Sequence, residues 1–139
     1  MEASRTAGRR RDLIGPLIAG YAVLQLATGA WLLIDPQSFF DDVGPFGALN
    51  KHYARDNGAF TLAMGVALAI AYFRPSWRPG AVGFSFFQFL FHSINHLVDI
   101  GKADPKRAGP IDFVLLAGGT MLLGWMLVRI MQDERGTDP

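Results

Sequence analysis

The segment Phe91–Ile100 reads FHSINHLVDI and sets His92 and His96 four residues apart, with Asp99 three further on. Residues three or four apart share a helix face, so these side chains form one stripe, which Gln88 and Ser85 extend. A second group, HYARD, places His52 and Asp56 four apart on another helix. Imidazole nitrogens and carboxylate oxygens together make a donor set suited to Zn, Fe or Cu, and also to Mn. Helical bundles commonly build metal sites from side chains on facing helices. Two histidines and one carboxylate chosen from these five would suit non-haem iron with open positions. A closed set of His52, Asp56, His92 and His96 would suit tetrahedral zinc. Asp99 then completes the ligand set or orients His96 from behind. The chain has no cysteine, which excludes disulfides and thiolate ligands.

Two other readings of the same residues stay open. One is a structural or proton-responsive polar network, with Asp56 and Asp99 paired to Arg55, Lys51 or a neutral histidine. Interhelical hydrogen bonds of that kind are worth roughly 0.6–2 kcal/mol each. The other is a b-type haem with one axial histidine from each helix. The shallow position of His52 and the nearby carboxylates weigh against haem.

Both groups sit in a chain that is 50% hydrophobic and only 18% charged, whereas soluble domains carry about 25% charged residues. Its 139 residues make one domain, 1–139. Net charge is +1, so there is no basic field for nucleic acid, and neither a phosphate-binding loop nor an internal repeat is present. A hydrocarbon core of about 30 Å needs about 20 apolar residues in helix. Segments 13–34, 53–73, 80–100 and 111–131 meet that requirement. They predict an all-α integral membrane four-helix bundle, up-down-up-down, with an outer loop over 35–51. That loop, rich in Phe, Asp and Gly, either folds back over the bundle as a lid or rests at the interface. The N-terminal segment is read as leading into an uncleaved first helix, with its arginines acting as a topology signal.

Orientation follows from Lys and Arg in the flanks. Arg5, Arg9, Arg10, Arg11, Arg74, Arg78, Arg129 and Arg135 fall on one side. Lys51, Arg55, Lys102, Lys106 and Arg107 fall on the other, with seven aspartates. Both termini are therefore expected in the cytoplasm. All three histidines then lie toward the outer face, if the second and third helices are neighbours. Ionisable residues inside a membrane are costly and face the bundle interior. Gln25 and Thr28 on the first helix and Thr120 on the fourth are candidates to line the same cavity. Asp112 is expected to stabilise the start of the fourth helix through its dipole, and its outer-face position also makes it a candidate to support the site from behind. Gly58, Gly65, Gly118, Gly119 and Gly124 suggest close helix contacts.

Phe39 to Asp42, then Asn50, His52, Arg55, Asp56 and Gly58, then His92 and His96, together resemble a set of small uncharacterised bacterial four-helix membrane proteins similar to the DoxX-like group. The resemblance runs from the first helix to the third. It implies a multi-pass protein of the bacterial cytoplasmic (inner) membrane, with no assigned chemistry. That group is linked loosely to membrane redox and thiol-stress systems, and a chain without cysteine has no direct thiol chemistry.

The reading that follows is a membrane-embedded metal-binding protein with its site near the extracytoplasmic face. Such a site would support oxidoreduction of a lipid-soluble substrate. Its partners would be the lipid bilayer, a lipid-soluble small molecule and further copies or subunits in a membrane complex, with no nucleic acid. The rival classes are a non-enzymatic accessory subunit, a small carrier and a haem protein. Polarity fades beyond Ser85, which counts against a carrier pathway.

Overall fold

The computed structural model describes residues 12–135, and every regular element among them is helical. Four helices are long: α1 (Ile14–Ile34), α3 (Lys51–Phe73), α4 (Arg78–Val98) and α5 (Ala108–Arg135). A short helix, α2 (Pro36–Asp42), follows α1, and a single 3-10 turn (Pro75–Trp77) joins α3 to α4. Arg5, Arg9, Arg10 and Arg11, which carry much of the orientation signal, lie outside the described residues.

Local chemistry sets the helix ends. The Asp12 carboxylate accepts from the backbone N–H groups of Ile14 (3.0 Å) and Gly15 (3.3 Å), satisfying donors that the first turn of α1 leaves open. Pro36 stops α1 and opens α2, where a missing N–H costs nothing. Asp35 caps α2 by accepting from Ser38 N at 3.2 Å. That backbone bond is the main reason its carboxyl titrates below the ordinary aspartate value. Asn50 caps α3 through bonds from His52 N (3.1 Å) and Tyr53 N (3.3 Å). This places His52 inside the first turn. Arg74, held extended before Pro75, ends α3.

The helices α1, α3 and α5 are long and apolar enough to cross a membrane. The α4 helix, expected as a span on its length, is not among them. Its 21 residues reach about 31 Å, but Ser85, Gln88, His92, Ser93, Asn95 and His96 lower its mean hydropathy.

Packing divides the long helices into two antiparallel pairs, α1 with α3 and α4 with α5. Glycines set the first pair. A Cβ on Gly58 would lie 2.8 Å from Leu32 Cβ, and one on Gly65 would lie 2.8 Å from Leu26 N. Gly29 faces the backbone of Leu62 in the same way. Removal of side chains lets the two backbones approach closely. In the second pair, the Phe89 ring sits over Gly119 and the Phe86 ring over Gly124. Ser93 and Thr120 share a buried hydrogen bond of 3.0 Å. Gly118, also expected at a close contact, has open space beside it.

Tyr21 ties the pairs together by donating to the carbonyl of Gly119 at 2.8 Å. Around it a core forms from Ile18, Leu68, Val82, Leu123 and Met126, all fully buried. The contact between α3 and α4 is slight, and a seam runs between them. At one end of the molecule Arg78 pairs with Asp12 at 3.3 Å. At the other, Asp104 N donates to Pro45 O (3.1 Å), and Phe46 bridges to Ala103. The segment after α2 is thereby fastened to the α4–α5 turn. Large apolar side chains such as Val66, Phe84, Phe91, Val114, Met121 and Val128 remain exposed around the long helices. Apolar surface on this scale marks a lipid or protein contact.

Candidate functional site

The five residues expected to hold a metal do not converge. Among the described residues no group of three or more His, Cys, Asp or Glu side chains could hold a metal ion, so the metal-binding reading is corrected. The physical reason is the helix pairing. The α3 helix packs along α1, which leaves the HYARD group at its start facing outward. His52 and Asp56 have side chains 80% and 63% exposed, and they pair with each other at 3.4 Å. Asp99 ends α4 and is taken by Lys102 at 2.7 Å. His92 and His96 point at each other, with their Nε2 atoms 3.1 Å apart. One ring donates in this contact and the other accepts, so at least one of them is neutral.

Chelation with EDTA and the His52→Ala substitution are each expected to leave the thermal midpoint within about 1 °C of the untreated protein, because an exposed pair contributes little. A drop of about 5 °C or more on chelation would reinstate a structural metal.

What the structure does assemble is a cavity of about 440 Å³ at the α2 end of the helices. The stripe on α4 supplies Gln88, His92 and His96 to its wall, and α1 supplies Gln25 and Thr28. Thr120 is not on the wall; its hydroxyl shares the buried hydrogen bond with Ser93. Ser85, also on the stripe, is buried and bonds the Ala81 carbonyl of its own helix at 2.8 Å. The roof comes from α2 and the chain after it, through Phe39, Val43, Gly44 and Phe46. The loop therefore covers the cavity. Trp31 donates to Ser38 Oγ at 2.7 Å and stacks edge-on against Phe39. Phe46 lies edge-on against the His96 ring, with centroids 4.8 Å apart.

Two polar wall residues, Asn57 and Thr61 from α3, were not foreseen as part of this site, and Asp112 from α5, expected at most to support the site from behind, lies on the wall itself. The α5 helix begins at Ala108, so Asp112 sits in its second turn, too far in for a helix-start role. Its sequence signal is a lone acid inside the apolar run IDFVLLAGG, and an ionisable residue within a span is a functional candidate by default.

The polar atoms on this wall are unevenly satisfied. Gln25 Nε2 donates weakly to Met64 Sδ at 3.7 Å. Gln88 Oε1, His96 Nδ1 and Asp112 Oδ2 are buried, and no described residue offers them a hydrogen bond. Buried polar atoms normally have partners, and leaving one unsatisfied costs about 1–3 kcal/mol. All three lie on residues that line the same cavity. That arrangement can bind a polar group entering the cavity. A cavity of this size matches the usual range of small-molecule sites, about 300–1,000 Å³. No family model, no curated protein and no solved structure matches this chain.

Proposed function

We propose that the chain is a multi-pass protein of the bacterial inner membrane that binds a lipid-soluble small molecule in its outward-facing cavity. In this reading α1, α3, α4 and α5 cross the membrane up-down-up-down, with both termini cytoplasmic. The α4 helix crosses by turning Gln88, His92 and His96 to the cavity and Phe84, Phe87 and Phe91 to lipid. The asymmetry of Lys and Arg in the flanks supports the orientation. The resemblance of Asn50, His52, Arg55, Asp56 and Gly58 with His92 and His96 to the DoxX-like group supports the membrane assignment.

One observation carries the binding reading. Gln88 Oε1, His96 Nδ1 and Asp112 Oδ2 are buried without a hydrogen-bond partner among the described residues, on the wall of one cavity. The site recognises its ligand by hydrogen bonding at these atoms and by apolar contact with Leu24, Leu32, Leu115 and the roof.

The test is extraction. Protein purified gently in detergent is expected to release a small molecule at close to one per chain into organic solvent. Thr28→Phe, which fills the cavity from α1, is expected to release less than about a tenth as much at unchanged helix content. Equal release from both proteins would sink the reading.

A further inference from the structure

The seam between α3 and α4 holds a second concavity of about 450 Å³ on its half nearer the roof. Four phenylalanines line it, Phe60 from α3 and Phe84, Phe87 and Phe91 from α4. The rings of Phe60 and Phe84 lie 5.6 Å apart across the seam. Unlike the roofed cavity, this groove is open on its outer side, where the same phenylalanines are 43–65% exposed. The two spaces share a wall, because Asn57, Gln88 and His92 line both. Gln88 lies on that shared wall, and its Oε1 is one of the atoms without a protein partner. An apolar groove, open on its outer side, thus lies directly against a polar chamber.

The atoms in the chamber also select a head group. A carboxamide oxygen and a carboxylate oxygen accept hydrogen bonds and do not donate them. Gln88 Oε1, and Asp112 Oδ2 when the group is ionised, therefore call for a ligand that brings donors, such as hydroxyl or ammonium N–H and O–H groups. A ligand whose head only accepts would leave both atoms unsatisfied, and such mismatches are where polar sites discriminate most strongly.

We propose that the ligand is a membrane-resident amphiphile whose head donates hydrogen bonds to Gln88 and Asp112, and whose apolar tail lies in the phenylalanine groove between α3 and α4, its entry route from the bilayer. This rests on the cavity being a ligand site. It adds the class of the head, the place of the tail and the direction of entry. The seam can serve as an entry because α3 and α4 belong to different packed pairs and contact each other little.

The experiment uses the full chain in lipid nanodiscs and two probes, 5-dodecylresorcinol and its dimethyl ether. The two have the same ring and tail, but the ether has no donors. The resorcinol is expected to bind at least about tenfold more tightly than the ether, consistent with the cost of unpaired buried acceptors. Gln88→Leu is expected to remove most of that preference, chiefly by weakening the binding of the resorcinol. A diazirine at the end of the resorcinol tail is expected to label Phe60, Phe84, Phe87 or Phe91, and excess unlabelled resorcinol is expected to compete the labelling away. Equal affinity for the two probes would overturn the donor assignment. Labelling at Leu24 and Phe39 beneath the roof would overturn the seam route while leaving the cavity a ligand site. Diffuse labelling of lipid-facing residues such as Val114 and Val128, without competition, would also overturn the tail position. Absence of saturable binding by either probe would overturn this proposal, whereas the extraction experiment judges the cavity reading independently.

Discussion

Gly29→Ala is expected to destabilise the protein by about 1–3 kcal/mol, the usual cost of forcing extra volume into a packed interface. The same change at Gly118 is expected to be neutral or stabilising by up to about 1 kcal/mol, because alanine is the better helix former. The contrast isolates packing from propensity, since both are glycine-to-alanine changes within long helices. At Gly29 a Cβ would stand 2.8 Å from the Cα of Leu62 and 2.9 Å from the carbonyl oxygen of Gly58. Those are backbone atoms of α3, and they cannot rotate away as a side-chain tip would. The helix pair must separate, and separation exposes the contacts of Gly58 and Gly65 as well. At Gly118 nothing lies within 4 Å of the added carbon. Thermal unfolding of the three proteins in one detergent measures the effect. A Gly29→Ala midpoint equal to that of Gly118→Ala would show that α1 and α3 are not held at this distance.

Asp112→Leu is expected to act in opposite directions on stability and on ligand content. Free of ligand, the variant is expected to be more stable by about 1–3 kcal/mol, the cost of a buried polar atom left without a partner. Replacing such a group with an apolar one of similar size is commonly neutral or stabilising. Leu115 and Leu116 on the same wall offer the new side chain apolar neighbours. Ligand recovered by extraction is expected to fall below about a tenth of the original, because a hydrogen-bonding site has lost its acceptor. Asp112→Asn keeps the shape and one acceptor, and it is expected to hold a measurable fraction of ligand. Thermal midpoints of ligand-free protein, measured beside the extraction yields, check both halves. A less stable Asp112→Leu protein would mean that the carboxylate has a stabilising partner. Functional groups held at a cost in stability are the common pattern at binding sites.

Much of the helical architecture was legible from local features. Pro36 and Pro75 mark helix boundaries through their backbone chemistry and Asn50 through its side-chain cap, and the structure places helix ends at all three. Gly58 and Gly65 were legible as contact residues because small side chains in an apolar helix have few other uses. Gly29 was missed, although it belongs to the same interface. The α4 stripe was legible as one helix face from its spacing, although only Gln88, His92 and His96 of it reach the cavity and Ser85 and Asp99 do not. The second half of the expected site failed. His52 and Asp56 have the spacing of a metal pair, but spacing defines a face of one helix and not the neighbour it meets. Asp112 carried a signal of equal strength, a charge within an apolar run, and was assigned to a helix start because α5 was expected to begin three residues later than it does.

The amino-acid order alone established a helical chain with four apolar segments, one of them carrying two histidines; the structure leaves α1, α3 and α5 long and apolar enough to cross a membrane. Those properties depend on hydrogen bonds within a few residues and on side-chain polarity, both of which are local. Which side chains share a cavity was settled by contacts between distant residues. Tyr21 reaches Gly119 across 98 positions, and α3 packs mainly along α1, with His52 left exposed at its start. The α2 roof and the α5 carboxylate then close the space that His52 and Asp56 were expected to fill. Helix faces of similar composition can pair in several ways. The choice here rests on the close backbone approach that Gly29, Gly58 and Gly65 permit, which becomes visible when both helices are placed side by side.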